Sequence, residues 1–592
     1  MSFVCGNCTR ARILQNIRPS IRTYRNTASA PNSVNESAKQ QVKHKKPIYK
    51  HEDRDVVWHK PEGFDTGIKM FNSVTRRKEA LILPRGRIAT WYSCGPTVYD
   101  HAHIGHASAY IRTDVIRRIM INMFTLDIIM VLGITDIDDK LIRKSNELGI
   151  TYLRLARQFE SEFWRDLTKL KVIPPTVSTR VTEHIPQIIS FINQIMCNGY
   201  AYRTVDGSVY FDVNAYGRYG KLWTHKMDTE IRESADKEKK SARDFALWKA
   251  AKPGEPYWDS PWGLGRPGWH IECSTMANAV FGEKLDLHSG GDDLRFPHHE
   301  NEIAQSEACF CNEQWTNYWL HLGHLHLKND AEKMSKSLNN TVSIAELLQK
   351  YSANQFRLFC MMRPYKQTIE YSDASMEKAV RLYSYWSSFV NNADAYIKGQ
   401  LVCQQLNENV LWECLSGTQT KIEKALADDF DTPRALTALE DLIRITNAQL
   451  SKKLVTEITA NTRSPAVVAA IVAYVQRILD LFGIEISRKR KQQDGIERNF
   501  DNVVESVVKF RSNIRNFALT LPKKKQDEDT KKEYKTQMRP LLSVCDELRD
   551  DLQLAGVQIQ DHGNVSTWDL LEVSPITTKT ALKKAVKNPK PL

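Results

Sequence analysis

Apolar residues first form a regular pattern of strands and helices after about residue 66. The run Ile88 to Ser93 has the composition of a strand and ends at the turn-forming residues Cys94 to Thr97. Apolar positions between Ser108 and Met120 recur at helical spacing, and Asp127 to Ile134 is a second apolar run. A strand, a helix and a second strand in this order predict a parallel sheet with crossover connections.

Two candidate ligand-binding positions follow from this order of elements. Ligands of open parallel sheets bind beside the carboxyl ends of the strands. Cys94 follows the first predicted strand, and Thr135 begins the acidic turn that ends at Asp139. We therefore expect Cys94 and Thr135 to lie at the same edge of the sheet.

The remainder of the chain departs from this pattern in two places. Residues from about 172 to 265 contain turns and the charged patch Asp236 to Lys240, which predicts an insertion between two halves of the sheet. From Ser343 onward the chain is mainly helical, and it includes the basic stretches Arg488 to Lys491 and Lys523 to Lys525. Each basic stretch, taken alone, is typical of a solvated loop. The pattern predicts an α/β protein whose C-terminal part is mainly helical.

Composition adds few constraints. The 592 residues are 42% hydrophobic and carry a formal net charge of +13, which fits either a polyanionic partner or a solvated basic surface. The apolar run Ala466 to Val475 is broken by Gln476 and Arg477, so it predicts a buried helix and no membrane insertion. Eleven cysteines scattered over a long chain favour reduced thiols over a disulfide framework.

The first 35 residues have the composition of a mitochondrial transit peptide. They contain five arginines between Arg10 and Arg25, and no acidic residue occurs before Glu36. The alternative is a disordered basic tail. Residues 36–65 are polar and predict a linker to the folded part.

Two motifs suggest phosphate chemistry. His103, Gly105 and His106 follow the first strand and open a helix, where free N–H groups and the helix dipole favour an anion. The glycine allows a flat base to approach the backbone closely. Lys333 and Lys336 lie in the later motif Lys-Met-Ser-Lys-Ser and could neutralise a departing pyrophosphate. Either motif alone is also compatible with an ordinary surface segment.

Together and in this order, the two motifs resemble the signatures of class I aminoacyl-tRNA synthetases. The resemblance implies a Rossmann-type parallel-sheet catalytic domain with an insertion, followed by a mainly helical tRNA-binding region. It assigns catalysis to His103, His106, Lys333 and Lys336, and ATP binding to His103, Gly105, His106 and Lys336. Mg²⁺ is expected to accompany the ATP.

A set of metal-ligating residue types accompanies these motifs. Cys94 lies at a predicted strand end, Cys273 follows Gly-Trp-His-Ile-Glu, and His298 and Glu302 share one face of a predicted helix. Two thiolates, an imidazole and a carboxylate are plausible tetrahedral ligands of Zn²⁺. On spacing alone, His299 is an equally reachable ligand.

Five segments, matched between about residues 67 and 375, resemble cysteinyl-tRNA synthetases specifically. They are Cys94–Asp100, Gly133–Lys140, Asp244–Lys249, Gly265–Cys273 and Phe296–Glu302. The resemblance implies that Cys94, Cys273, His298 and Glu302 bind one zinc ion, and that Thr135 and Trp269 line the amino-acid pocket. It implies ATP-dependent ligation of L-cysteine to tRNA(Cys) through a cysteinyl-adenylate, with AMP and pyrophosphate as the other products.

The expected domain organisation combines the pattern with this resemblance. It comprises a transit peptide (1–35), a linker (36–65), the catalytic domain (66–330, insertion about 172–265), a lysine-motif loop and stem-contact region (331–375), a helical bundle (376–490) and an anticodon-binding region (491–592). The leader implies the mitochondrial matrix and mitochondrial translation. The sequence predicts neither an oligomeric state nor the tRNA bases that are read.

Two alternatives share parts of this pattern. A same-superfamily ligase that joins cysteine to an amino-sugar would contain the same ATP and zinc motifs, but it would not need the long basic helical half. A non-catalytic tRNA-binding derivative of a synthetase would not need intact phosphate-site motifs. Pyrophosphate exchange and acceptor specificity distinguish the three possibilities.

Overall fold

Secondary structure is described for most of the chain after its N-terminal segment. The computed structural model describes residues 48–51, 54–223, 238–327, 341–452, 463–486, 495–520, 528–563 and 565–570. The leader 1–35, both motif lysines (Lys333 and Lys336) and the basic stretches 488–491 and 523–525 lie outside the described residues.

The strands are short and lie mostly in the first 330 residues. They are β1 (Ile48–His51), β2 (Arg54–Val57), β3 (Phe64–Asn72), β4 (Arg77–Leu83), β5 (Ile88–Thr97), β6 (Asp127–Thr135), β7 (Val177–Arg180), β8 (Ala201–Arg203), β9 (Val209–Phe211), β10 (Phe245–Ala250), β11 (Gly265–Pro267), β12 (Leu285–Gly291), β13 (Thr316–Leu322), β14 (Leu325–Leu327), β15 (Ile369–Tyr371), β16 (Val557–His562) and β17 (Val565–Leu570).

The helices become longer toward the C-terminus. They are α1 (Ile104–Asn122), α2 (Asp139–Leu148), α3 (Tyr152–Lys169), α4 (Ile185–Cys197), α5 (Val213–Tyr216), α6 (Trp269–Phe281), α7 (Glu300–Phe310), α8 (Ile344–Lys350), α9 (Ala353–Met361), α10 (Asp373–Ile397), α11 (Glu408–Ala427), α12 (Thr432–Leu450), α13 (Pro465–Leu481), α14 (Gly495–Leu519) and α15 (Glu528–Leu554).

A five-stranded parallel sheet forms the centre of the first half of the chain. Its strand order is β13-β12-β5-β6-β7, and every neighbouring pair is parallel. The predicted parallel sheet is therefore confirmed. The turn expected at Cys94 to Thr97 is wrong, because β5 continues through these residues and pairs with β6 as far as Thr97. The register between the two strands shifts between Cys94 and Thr97, so Gly95 and Pro96 form an irregularity within β5 in place of a turn.

The region predicted as an insertion contains two different parts. β7 falls within residues 172–265, yet it pairs with β6 and is an edge strand of the central sheet. After β7, the chain forms a separate antiparallel sheet with the order β11-β10-β9-β8. The segment that leaves the central sheet therefore begins after Arg180, later than the predicted position near residue 172.

The end of the predicted linker belongs to the folded part. β1 and β2 pair as an antiparallel hairpin within residues 36–65. Trp58, which follows them, is only 2% exposed, and its indole Nε1 donates a hydrogen bond to the carbonyl of Asn317. Burial of this large side chain beside β13 anchors the residues that follow β2 to the central sheet.

The C-terminal half contains two hydrophobic cores. Helices α9 to α13 share one continuous core with the central sheet, and the run Ala466 to Val475 lies in buried helix α13, as predicted. A second core lies between α14, α15 and the β16–β17 hairpin and is centred on Val508, Ile559 and Trp568. Within the described residues, no helix is long and apolar enough to cross a membrane.

Candidate active site

Four predicted ligands converge on one point at the edge of the central sheet. Cys94 comes from β5 and Cys273 from α6, while His298 and Glu302 flank the start of α7. One potential ligand atom from each lies within 4.8 Å of the others, and all four side chains are buried. His298 lies in the segment Arg295–His299 directly before α7, which is interrupted by extended backbone at Phe296, and its Nε2 is 3.1 Å from a Glu302 oxygen.

The dimensions of this cluster fit a tetrahedral zinc ion. Zinc binds thiolates at about 2.3 Å, so two thiolates at tetrahedral corners lie about 3.8 Å apart. The sulfur atoms of Cys94 and Cys273 are 3.8 Å apart, and the Cys94 sulfur is 3.6 Å from the Glu302 carboxylate. The donor set, with two sulfurs, one imidazole and one carboxylate, is also of the kind that zinc prefers.

A second set of potential ligands overlaps the first. Cys94 and Glu302 also lie within reach of His288 and His299, which gives an alternative group of four. The His299 Nε2 is 3.4 Å from the Cys94 sulfur, while its Nδ1 contacts the Nε2 of His321 at 2.8 Å. The second group contains one sulfur where the first contains two, so it offers zinc the weaker donor set.

Two histidines outside the first group orient its members. His270 and His298 approach through their Nδ1 atoms at 2.9 Å, which directs the His298 Nε2 toward the cluster. His288 contacts the second oxygen of Glu302 at 2.9 Å. Such outer partners fix the ring and carboxylate orientation in metal sites. Neither contact follows from the sequence pattern, although a histidine within the apolar run of β12 is an unusual residue and could have indicated His288.

Burial controls the charge of the cluster. Burial raises the pKa of Glu302 and lowers the pKa of His298, because both changes avoid an unsolvated charge. The two thiols respond in opposite ways: a hydrogen bond from Cys94 lowers the pKa of Cys273 to about 6, whereas burial raises the pKa of Cys94. A bound cation would stabilise both as thiolates.

The histidine motif forms the N-terminus of α1. The Nδ1 of His103 accepts a hydrogen bond from the Gly105 amide at 3.1 Å, and the Nδ1 of His106 accepts one from the His103 amide at 3.4 Å. Because each Nδ1 accepts, each neutral ring carries its proton on Nε2. The rings stack with centroids 3.8 Å apart, so two N–H donors and a helix N-terminus lie side by side.

A single cavity of about 890 Å³ connects these features. Cys94, Cys273 and His298 line one part of it, and His103, Gly105 and His106 line another. A reactive group held at the sulfur ligands would therefore share one compartment with a nucleotide held at the helix N-terminus.

The two predicted pocket residues, Thr135 and Trp269, also line this cavity. The hydroxyl of Thr135 donates to the Glu272 carboxylate at 3.4 Å. Trp269 is 42% exposed, and its ring stacks on the His298 ring with centroids 4.4 Å apart. Gly290 and Gly291, at the end of β12, also line the cavity. The Lys333 and Lys336 side chains lie outside the described residues.

Comparison with known protein families identifies the class. The model for the class I (C) tRNA synthetase catalytic domain matches residues 83–381, and the DALR domain model matches residues 421–487. The fold is similar to a methionyl-tRNA synthetase from Mycobacterium tuberculosis, with a TM-score of 0.52 and 15% identity over 67% of this chain and 92% of that one. The protein is thus a class I aminoacyl-tRNA synthetase in domain composition and fold.

Relatives at higher identity define the family within this class. A probable mitochondrial cysteine–tRNA ligase from Xenopus tropicalis is 51% identical, covering 87% of this chain and 91% of that protein. A cysteine–tRNA ligase from Pyrococcus abyssi is 39% identical, covering 86% of this chain and all of that protein. The chain belongs to the cysteine–tRNA ligase family.

Proposed function

We propose that this enzyme ligates L-cysteine to tRNA(Cys) in two ATP-dependent steps. The cysteine carboxylate attacks the α-phosphorus of ATP, which forms cysteinyl-adenylate and releases pyrophosphate. The terminal ribose hydroxyl of the tRNA then takes the cysteinyl group and releases AMP. Membership of the cysteine–tRNA ligase family supports this reaction. The observation that carries the proposal is the shared cavity, which places the sulfur ligands beside the histidine motif.

The cluster of Cys94, Cys273, His298 and Glu302 would hold Zn²⁺. When bound, the ion would hold the substrate thiol as a thiolate, and serine would offer a poorly ionised oxygen in the same place. A site built around one specific ligating atom rejects analogues that lack it by roughly 10⁴–10⁵. Trp269 and Thr135 would form the walls that orient the substrate.

The nucleotide would lie across the N-terminus of α1. In this proposal His103 and His106 donate Nε2–H groups to the reacting phosphate, and Gly105 lets the base approach the backbone. ATP would bring Mg²⁺, and Lys333 and Lys336 would stabilise the departing pyrophosphate. Positioning and electrostatics suffice for this chemistry, so a protein nucleophile is not required.

The remaining regions would serve tRNA binding and location. We assign residues 331–375 to the lysine-motif loop and stem contacts, 376–490 to a helical bundle, and 491–592 to anticodon recognition. The arginine-rich leader, residues 1–35, would direct the protein to the mitochondrial matrix. The relatives' match over most of the chain, including the C-terminal half, favours tRNA over an amino-sugar as acceptor.

Replacement of a single sulfur ligand tests the proposal. Cys273→Ser should abolish both stoichiometric zinc, measured by mass spectrometry, and cysteine-dependent ATP–pyrophosphate exchange. Cys309→Ser is the matched control, because Cys309 is a buried thiol of α7 outside the cluster. Unchanged zinc content and unchanged exchange in Cys273→Ser would contradict the metal assignment.

A further inference from the structure

Tyr92 contains a buried hydroxyl that lacks a conventional partner. The side chain lies in β5, two residues before Cys94, and is fully buried. Within the described residues, its hydroxyl oxygen forms no hydrogen bond. A buried hydroxyl without a partner is destabilising, whereas phenylalanine would fill the same space without this cost. The presence of tyrosine here therefore suggests a role for the oxygen.

The surrounding sheet leaves room for this oxygen. Residues two apart on a strand point to the same face, so Tyr92 and Cys94 extend from β5 toward the same side. The hydroxyl reaches over Gly133 of β6, where a Cβ atom would lie only 2.1 Å from it. Any larger residue at position 133 would displace the phenol. The absence of a side chain at Gly133 thus provides the space in which the Tyr92 hydroxyl lies.

Helix α6, which contains Cys273, also borders this space. A Cβ at Gly133 would also lie 3.0 Å from the terminal methyl of Met276, one turn after Cys273. A neutral phenol can act only as a donor toward an anionic sulfur, because a thiolate has no proton to donate.

We propose that Tyr92 is a positioning residue for the metal cluster, whose hydroxyl donates a hydrogen bond to the Cys273 sulfur when that sulfur is a metal-bound thiolate. The proposal rests on the zinc site of the proposed function. A donor at this sulfur stabilises its negative charge and fixes its direction, as outer partners do in other metal sites. Gly133 has the complementary role of leaving the hydroxyl in place.

Removal of the hydroxyl should weaken metal binding in the full-length protein. We expect Tyr92→Phe to lower zinc affinity, measured by competition with a chromophoric chelator, by about 10-fold, the lower end of the 10–100-fold range for outer partners. In the Co²⁺-substituted protein, the sulfur-to-cobalt charge-transfer band should shift. Tyr318→Phe is the matched control, because its buried hydroxyl bonds Ala80 and Ile82, away from the cluster.

A double variant separates this role from a general packing effect. Gly133→Ala should weaken zinc binding strongly in the wild-type background and less in the Tyr92→Phe background, because the displaced oxygen is then absent. Wild-type zinc affinity and an unshifted cobalt band in Tyr92→Phe would overturn the inference, as would equal effects of Gly133→Ala in both backgrounds. Zinc-free wild-type protein would instead overturn the proposed function.

Discussion

Arg357 of α9 and Asp114 of α1 form a fully buried ion pair between the helical region and the first crossover helix of the sheet. The Arg357 guanidinium also donates to the carbonyls of Phe482 and Leu170. Asp114 in turn accepts from the Ile173 amide at 2.8 Å. The pair thus joins four chain segments at one point beneath the sheet.

Loss of one partner of this pair should destabilise the protein substantially. Arg357→Ala leaves Asp114 paired with Arg118 alone and removes the donor to the buried carbonyls of Phe482 and Leu170. Because each buried group that loses its partner costs about 1–3 kcal/mol, we expect a loss of about 3 kcal/mol in the free energy of unfolding. Chemical denaturation monitored by tryptophan fluorescence measures it. Arg381→Ala, which breaks the exposed pair with Glu377, should cost at most about 1 kcal/mol. Equal effects of the two variants would show that burial of the pair is unimportant.

The two functions of His103 can be separated by substitution. Asparagine can cap α1 as the His103 ring does, but it lacks the Nε2 donor. His103→Asn should therefore retain stability while slowing ATP–pyrophosphate exchange by about 10²–10³, the usual effect of losing one transition-state donor. His103→Ala should show the same slowing and lose a further 0.5–2 kcal/mol of stability, roughly the value of a cap. Wild-type exchange in His103→Asn would exclude the ring from catalysis.

The low pKa of Cys273 predicts a pH dependence in metal-free protein. A hydrogen bond from Cys94 lowers this pKa to about 6, so the thiolate fraction rises through pH 6 and is nearly complete at pH 7. After removal of metal by a chelator, alkylation of Cys273 by iodoacetamide, followed by peptide mass spectrometry, should have its midpoint near pH 6. Cys94→Ala removes the hydrogen bond and should move the midpoint upward. A midpoint unchanged by Cys94→Ala would exclude this cause.

One prediction concerns the lysine motif, whose residues lie outside the described part of the structure. If Lys336 stabilises departing pyrophosphate, Lys336→Ala should slow adenylate formation in a pre-steady-state assay and leave tRNA affinity mostly intact. Lys350→Ala, at the end of α8, serves as a control for the loss of a lysine nearby. Loss of tRNA binding alone would mean that the role of the loop is misassigned.

The local pattern of apolar residues predicted the strands and helices of the site better than the residues at which they begin and end. The first strand, the crossover helix and the second strand lie where apolar spacing placed them, because amphipathic periodicity reflects which face is buried. The turn at Cys94 to Thr97 was wrong, because β6 pairs with both Cys94 and Thr97, and Gly95 and Pro96 form an irregularity within the strand. The buried Trp58 was missed for a similar reason, since its partner Asn317 is distant in sequence.

The sequence by itself determined the residue types, the order of the motifs and the family, since these depend on local pattern and similarity alone. The tertiary structure decided which potential metal-ligand atoms lie close together. Cys94 and Cys273 are 179 positions apart, and only packing of α6 against β5 brings their sulfurs together. Helical spacing left His298 and His299 equally reachable, whereas the fold groups His298 with both sulfurs and His299 with the Cys94 sulfur alone. The orientation of each side chain depends on contacts between segments that are distant in sequence. A local sequence pattern contains no information about those contacts.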